Sequence, residues 1–234
     1  MSAAGGRAAA RTRVRRALTA LPAAGLLLLA PPPAAAQSLD AALAGWDAHR
    51  LIYSRRGAYA QHGVALAASG TVRLWRASLT AGVTRGTLGA QSDVPNVDVR
   101  LRSETVSLLV RVVGDLAVGA SREVRRFHAD AGVTTWVLQG VETRFEPELG
   151  LAGLRGIAGV SVLNSSRVHD GPGFTRAVRT AMGVSLRPGR LPVGVRVTYR
   201  FERFDLERGA ADLADVRYEE FSGMVVEVVA PLRR

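Results

Sequence analysis

Residues 191–202 read LPVGVRVTYRFE, and their alternation decides the fold. Leu191, Val193, Val195, Val197, Tyr199 and Phe201 are apolar, whereas Gly194, Arg196, Thr198, Arg200 and Glu202 are small, polar or charged. Successive side chains on a strand point to opposite faces, so this is a strand with one apolar wall and one ionic wall. It is longer than the usual strand of about five or six residues. It suffices for a tilted crossing of a bilayer, which takes about 9–11. The apolar run ends in Tyr199 and Phe201, residue types that sit at a membrane–water boundary. The stretch is one stave of a transmembrane barrel.

The same period recurs on both sides of it. Alternation over 60–68, 71–83, 100–113, 116–127, 145–154, 157–168, 174–186 and 216–232 supplies eight further strands. Residues 46–53 are promoted to a tenth, because single-chain bacterial barrels carry even numbers of strands. The expected fold is an all-β, up-and-down antiparallel transmembrane barrel of 8–10 strands, with ten favoured. Short turns are expected at Ser69, Gly114, Arg155 and Pro188, and longer loops near Pro95, Asp130, Asp170 and Gly209. Residues 128–143 are read as a hairpin extension above the membrane.

Residues 1–36 carry a basic start (Arg7, Arg11, Arg13, Arg15, Arg16), a short apolar run and Ala34-Ala35-Ala36, the pattern of an exported protein's signal segment. Cleavage is expected near Ala36/Gln37. Residues 37–57 then form an N-terminal segment and candidate first strand, and 58–234 the barrel. Removing five arginines and no acids lowers the net charge from +11 to +6. Arginines interleaved along strands form no single basic groove, which argues against nucleic acid as a partner. The absence of cysteine excludes disulfides and thiolate chemistry, and the absence of lysine excludes a Walker phosphate loop and Schiff-base catalysis.

In this pattern the chain resembles the small outer-membrane β-barrel proteins of diderm bacteria, of the OmpX and OmpW sort, over residues 58–232. Members of those families typically end in an aromatic residue read by the barrel-assembly machinery; here the last alternating residue is Leu232, followed by Arg233 and Arg234. The resemblance implies an outer-membrane location and that machinery as a partner during biogenesis. It also implies a monomer in contact with outer-membrane lipid.

Three sets of residues are candidates for function. Arg111, Glu123, Arg125, Glu146, Glu148, Arg179, Arg196, Arg200, Glu202 and Glu227 lie on the polar walls and are expected to form an ionic network filling the lumen. Phe127, Phe145, Phe174, Tyr199, Phe201, Phe204, Tyr218 and Phe221 are expected to form an aromatic girdle at the loop end of the barrel. Beside them Arg126, Arg203 and Arg217 are expected to contact phosphates of a lipopolysaccharide-type lipid, since the planar guanidinium suits bidentate phosphate contact. No catalytic residue, cofactor or metal is assigned; the neighbours His128/Asp130 and His169/Asp170 are the nearest approach to an acid–base pair. The expected role is structural, in envelope integrity or surface interaction. A narrow solute or ion channel of the same fold and a secreted soluble barrel binding a lipid-like ligand are the alternatives.

Overall fold

The computed structural model describes residues 37–54, 57–91, 98–130, 132–169, 173–187, 193–206 and 216–233. Residues 1–36, where the sequence reading places a signal segment, lie outside the described residues. Ten strands follow in order: β1 (Gln37–Ser54), β2 (Gly57–Leu74), β3 (Ala77–Ala90), β4 (Val99–Val113), β5 (Leu116–Ala129), β6 (Gly132–Phe145), β7 (Leu154–His169), β8 (Phe174–Leu186), β9 (Gly194–Leu206) and β10 (Val216–Arg233). Each pairs antiparallel with its neighbours, and β1 pairs with β10, so the sheet is a closed up-and-down barrel. Ten strands, not eight, close the wall.

Paired residues traced once around the wall run Asp40, Thr71, Thr80, Ser107, Ser121, Gly140, Leu163, Ala177, Phe204 and Glu219. The circuit returns to β1 at Ile52, a stagger of 12 residues. A stagger of this kind accompanies strands tilted by about 35–45°. All of these residues face the lumen side of the wall, so one parity is maintained around the whole barrel.

The exterior carries the apolar parity. Leu43, Leu66, Val83, Val106, Val160, Met182, Val195 and Val226 are exposed there. The interior carries the charges and the buried core. This inside-out arrangement is what a bilayer demands of a barrel, because the hydrocarbon solvates the outer wall and the closed ladder leaves no edge unpaired. It is the reverse of a soluble lipid-binding barrel, whose apolar face would be inside.

Three strand assignments from the sequence are corrected. Ser69-Gly70 is not a turn but lies within β2; the chain reverses at Trp75-Arg76, where Trp75 takes φ +50° as Gly114 does at the Gly114-Asp115 turn. Residues 128–143 are not a hairpin extension. The reversal at Asp130 is tight, with Ala129 paired to Gly132, and 132–145 is the full strand β6. Residues 146–153 are a connection rather than a strand, broken by Pro147 and by Gly150 and Gly153 at φ +76° and +78°. Leu149 and Leu151 mimic strand alternation there but are exposed on the turn.

The two ends of the barrel differ. One end, here called inner, carries Gln37, Arg233 and the connections at 75–76, 114–115, 146–153 and 187–193; the outer end carries those at 55–56, 91–98, 130–131, 170–173 and 207–215.

Candidate functional site: a layered lumen

The lumen has three layers, each built from inward parity. In the middle, β5 contributes Glu123 and Arg125, β8 contributes Arg179, and β9 contributes Arg200 and Glu202. Arg125 Nε donates to Glu123 Oε1 at 2.9 Å, and its Nη2 donates to Glu202 Oε2 at 2.7 Å. Arg179 Nε and Arg200 Nε both donate to Glu202 Oε1 at 2.6 Å. Arg179 also donates to Glu123, and Arg200 Nη2 stands 3.6 Å from Glu123 Oε2. Two carboxylates thus bind three guanidiniums across the barrel. Glu202 and Arg125 are almost wholly buried, at 0% and 1% exposure. Buried ions are tolerated only when paired and hydrogen-bonded, and here the strand tilt brings residues 77 positions apart into one cluster.

Above this layer, toward the outer end, lies a plug of rings. Trp136 of β6 packs against Phe127, Phe174, Phe204 and Phe221 with centroid separations of 4.8, 4.9, 5.1 and 6.0 Å. Leu88, Leu101 and Leu138 belong to the same buried cluster, with Trp46, Val99 and Leu163 among its other members. Arg125 reaches up from the ionic layer to sit over Phe221 at 4.9 Å, and Arg50 lies over Phe127 at 4.4 Å. Arg50 in turn donates to Glu219 at 2.7 and 2.9 Å and to Gln61 at 3.1 Å. Cations over ring faces join the two layers into one dry body.

Toward the inner end the lumen is polar and open. Arg196 pairs with Glu227 at 3.0 Å and approaches Glu146 at 3.7 Å, Arg144 pairs with Glu142 at 2.8 Å, and Asp40 lies between Arg73 and Arg187 at 3.4 and 3.3 Å. Of these groups Arg73, Arg144, Glu146, Arg196 and Glu227 line a vestibule of about 270 Å³ that also meets the turn residues Trp75, Arg76 and Asp115.

Of the ten residues expected in the lumen network, five (Glu123, Arg125, Arg179, Arg200, Glu202) meet in the middle layer. Arg196, Glu146 and Glu227 meet in the vestibule. Glu148 does not join them: it pairs with Arg155 on the exposed connection at 2.7 Å. Arg111 lines the vestibule mouth and has no ion pair among the described residues.

The aromatic girdle needs correction. Phe127, Phe204 and Phe221 are buried in the plug, and Phe174 packs on it. Parity gives the reason: Phe127 shares a face with Glu123 and Arg125, Phe204 with Arg200 and Glu202, and Phe221 with Glu219 and Glu227. Phe174 is turned inward by the register shift between Phe174 and Arg176. Phe145 pairs with Leu116 and therefore lies at the inner end. Tyr199, Phe201 and Tyr218 keep the outward parity, and Tyr218 stacks on Tyr53 at 4.3 Å.

The rim arginines divide similarly. Arg126 faces outward and pairs with Glu104 at 3.0 Å. Arg203 also faces outward, bonded to Asp205 at 3.0 Å and Glu220 at 3.3 Å and lying over the Tyr218 ring at 4.1 Å. Arg217 lies at the register shift between β1 and β10, where Tyr53 pairs with Tyr218 and Ser54 with Val216, and it is exposed. His128 makes no hydrogen bond to Asp130 among the described residues, and Asp170 lies outside them. Trp136, the centre of the plug, and the Arg50–Glu219 pair were missed; the inward parity of each strand was the signal that would have found them.

No protein-family model matches the sequence, and no curated protein matches it. Among solved structures, Neisserial surface protein A is similar at 13% identity and a TM-score of 0.39, with 82% of this chain and 96% of that one covered. The translocator domain of the autotransporter NalP from Neisseria meningitidis is similar at 13% identity and 0.39, covering 94% and 95%. OmpT, an outer membrane protein of Vibrio cholerae, is similar at 9% identity and 0.33, covering 78% and 63%. The closed register and the inside-out placement of charge stand independently of these likenesses.

Proposed function

We propose that this chain is an outer-membrane barrel, exported by its N-terminal segment, whose role is structural or surface-interacting and non-catalytic, and whose lumen does not conduct. The observation that carries this reading is the plug: the side chains of Phe127, Trp136, Phe174, Phe204 and Phe221 pack together across the lumen next to two glutamates whose carboxylates are bound by arginines. A channel needs a wetted file of groups through its length. The test is planar-bilayer recording of the refolded, untagged barrel. No unitary openings are expected; reproducible ion-conducting steps would overturn the reading in favour of the narrow channel.

On this reading the outward arginines Arg126 and Arg203 fix the barrel's depth by sharing phosphate oxygens of a lipopolysaccharide-type lipid with their carboxylate partners. Arg217, exposed at the register shift beside Tyr218, is assigned the same contact. Native mass spectrometry with purified phosphorylated glycolipid checks this. The Arg126→Gln/Arg203→Gln/Arg217→Gln variant should retain less lipid than wild type; equal retention by both would overturn the contact. The barrel acts as a monomer delivered by the barrel-assembly machinery.

A further inference from the structure

On the outer wall, β1 and β2 each break their apolar parity at the same place. The exterior face of β1 runs Leu39, Ala41, Leu43, Gly45 and then Asp47 and His49; that of β2 runs Leu74, Val72, Gly70, Ala68, Leu66, Val64 and then His62. His49 and His62 are direct cross-strand partners, and their rings stack at 4.3 Å. Asp47 Oδ1 lies 2.6 Å from His62 Nε2, and Oδ2 lies 3.6 Å from His49 Nε2.

The partners of this aspartate set it apart. Each other carboxylate within the ten strands is paired with an arginine among the described residues: Asp40 with Arg73, Glu104 with Arg126, Glu123 and Glu202 with Arg125, Glu142 with Arg144, Asp205 and Glu220 with Arg203, Glu219 with Arg50, and Glu227 with Arg196. Among the described residues Asp47 has two imidazoles as its charge partners. In a chain so rich in arginine, that choice replaces a fixed cation by two groups that can ligate one.

We infer that Asp47, His49 and His62 form a binding site for a divalent transition-metal ion of the imidazole-preferring class. One donor atom from each residue lies within 4.8 Å of the others. Donors bound to one tetrahedral zinc at about 2.0–2.2 Å stand roughly 3.3–3.6 Å apart, so the half-exposed rings would have to turn by about an ångström to close the set. Two imidazoles and a carboxylate satisfy the donor preference of zinc and copper, and three protein ligands leave one position open to water or a headgroup oxygen. The backbone of Asp47 lies close against β10: Gly223 takes φ +151° beside it, and a Cβ at that glycine would lie 1.7 Å from the Asp47 carbonyl oxygen. The ion would tie β1 to β2 next to the strand that closes the barrel.

The experiment titrates zinc chloride into the untagged refolded barrel in detergent, read by isothermal calorimetry and by competition with a chromophoric chelator. One equivalent should bind to wild type. His49→Ala, His62→Ala and Asp47→Asn should each weaken binding by at least about 10-fold, and His128→Ala should not. Heat-modifiable gel mobility verifies that each variant is a closed barrel, and the volume-conserving His49→Gln/His62→Gln pair replaces any alanine variant that is not. Zinc affinity that is equal in wild type and folded variants, or the absence of saturable binding to wild type, would overturn the site.

Discussion

The two halves of the lumen are lined from the same strands yet solve opposite problems. In the outer half Glu202, Arg125 and the rings of Trp136, Phe204 and Phe221 are 0–2% exposed, and both Glu123 and Glu202 are paired with guanidiniums. In the inner half the Arg196, Glu146 and Glu227 side chains are 24%, 25% and 16% exposed around an open vestibule. The chemical groups in the two pairs are alike, but the dielectric around them is not. A buried ion pair makes its partners interdependent, because either one alone is a stranded charge. A wetted pair lets water replace whichever partner is lost. Among the described residues the outer half of the lumen is therefore dry and mutually dependent, and the inner half wetted.

That contrast can be broken by substitution, most severely at its centre. Glu202→Ala leaves Arg125, Arg179 and Arg200 facing Glu123 alone and should cost about 3–5 kcal/mol, read as a lowered urea midpoint of the folded barrel in lipid vesicles. Trp136→Ala empties the middle of the plug and should cost about 3–5 kcal/mol, at the low end of that range where the surrounding rings relax inward. Combined with Phe204→Ala it should also admit ions, which bilayer recording would register. On the outer wall, Val160→Arg sits midway along β7 and should cost about 2–4 kcal/mol, whereas Val195→Arg, one residue inside the inner end of β9, should cost about 0–1. Equal costs at the two positions would sink the placement of the apolar band. The smallest effect is expected in the vestibule: Arg196→Ala, beside partners that water already reaches, should cost no more than about 1 kcal/mol. If its cost equals that of Glu202→Ala, the lumen is not divided as described.

Much of this was legible in the chain, and the misses have physical causes. Period-two alternation announced the inside-out wall, because each strand had to satisfy hydrocarbon on one side. The odd–even rule also contained the plug. Phe204 follows Arg200 and Glu202 on the same parity, yet proximity to the loop end suggested a girdle instead. Phe174 could not have been placed by parity, since the register shift before Arg176 reverses its direction. Strand β6 was hidden by a reversal of only two residues, which leaves no glycine- or proline-rich interval to mark it. The turn at Trp75 was hidden for the opposite reason: a bulky residue occupies a backbone region that favours glycine, while Ser69-Gly70 nearby carried the better turn chemistry. The Asp47–His49–His62 cluster was invisible because it depends on which residues of two strands stand opposite, and sequence alone leaves register open.

The seam between β1 and β10 sets the order of events in making this wall. Leu39 pairs with Arg233 and Ser54 with Val216, so the first strand made waits for the last before its second edge is covered. Every shorter intermediate is an open sheet with two hungry edges, and such edges recruit whatever strand is nearest. A chain that loses β10 is thus not a barrel of nine strands but a template for joining copies edge to edge. Premature termination should yield aggregates rather than a smaller pore. The same logic makes closure a one-way step: once β10 docks, no unpaired edge remains at which a neighbouring barrel can start to exchange a strand.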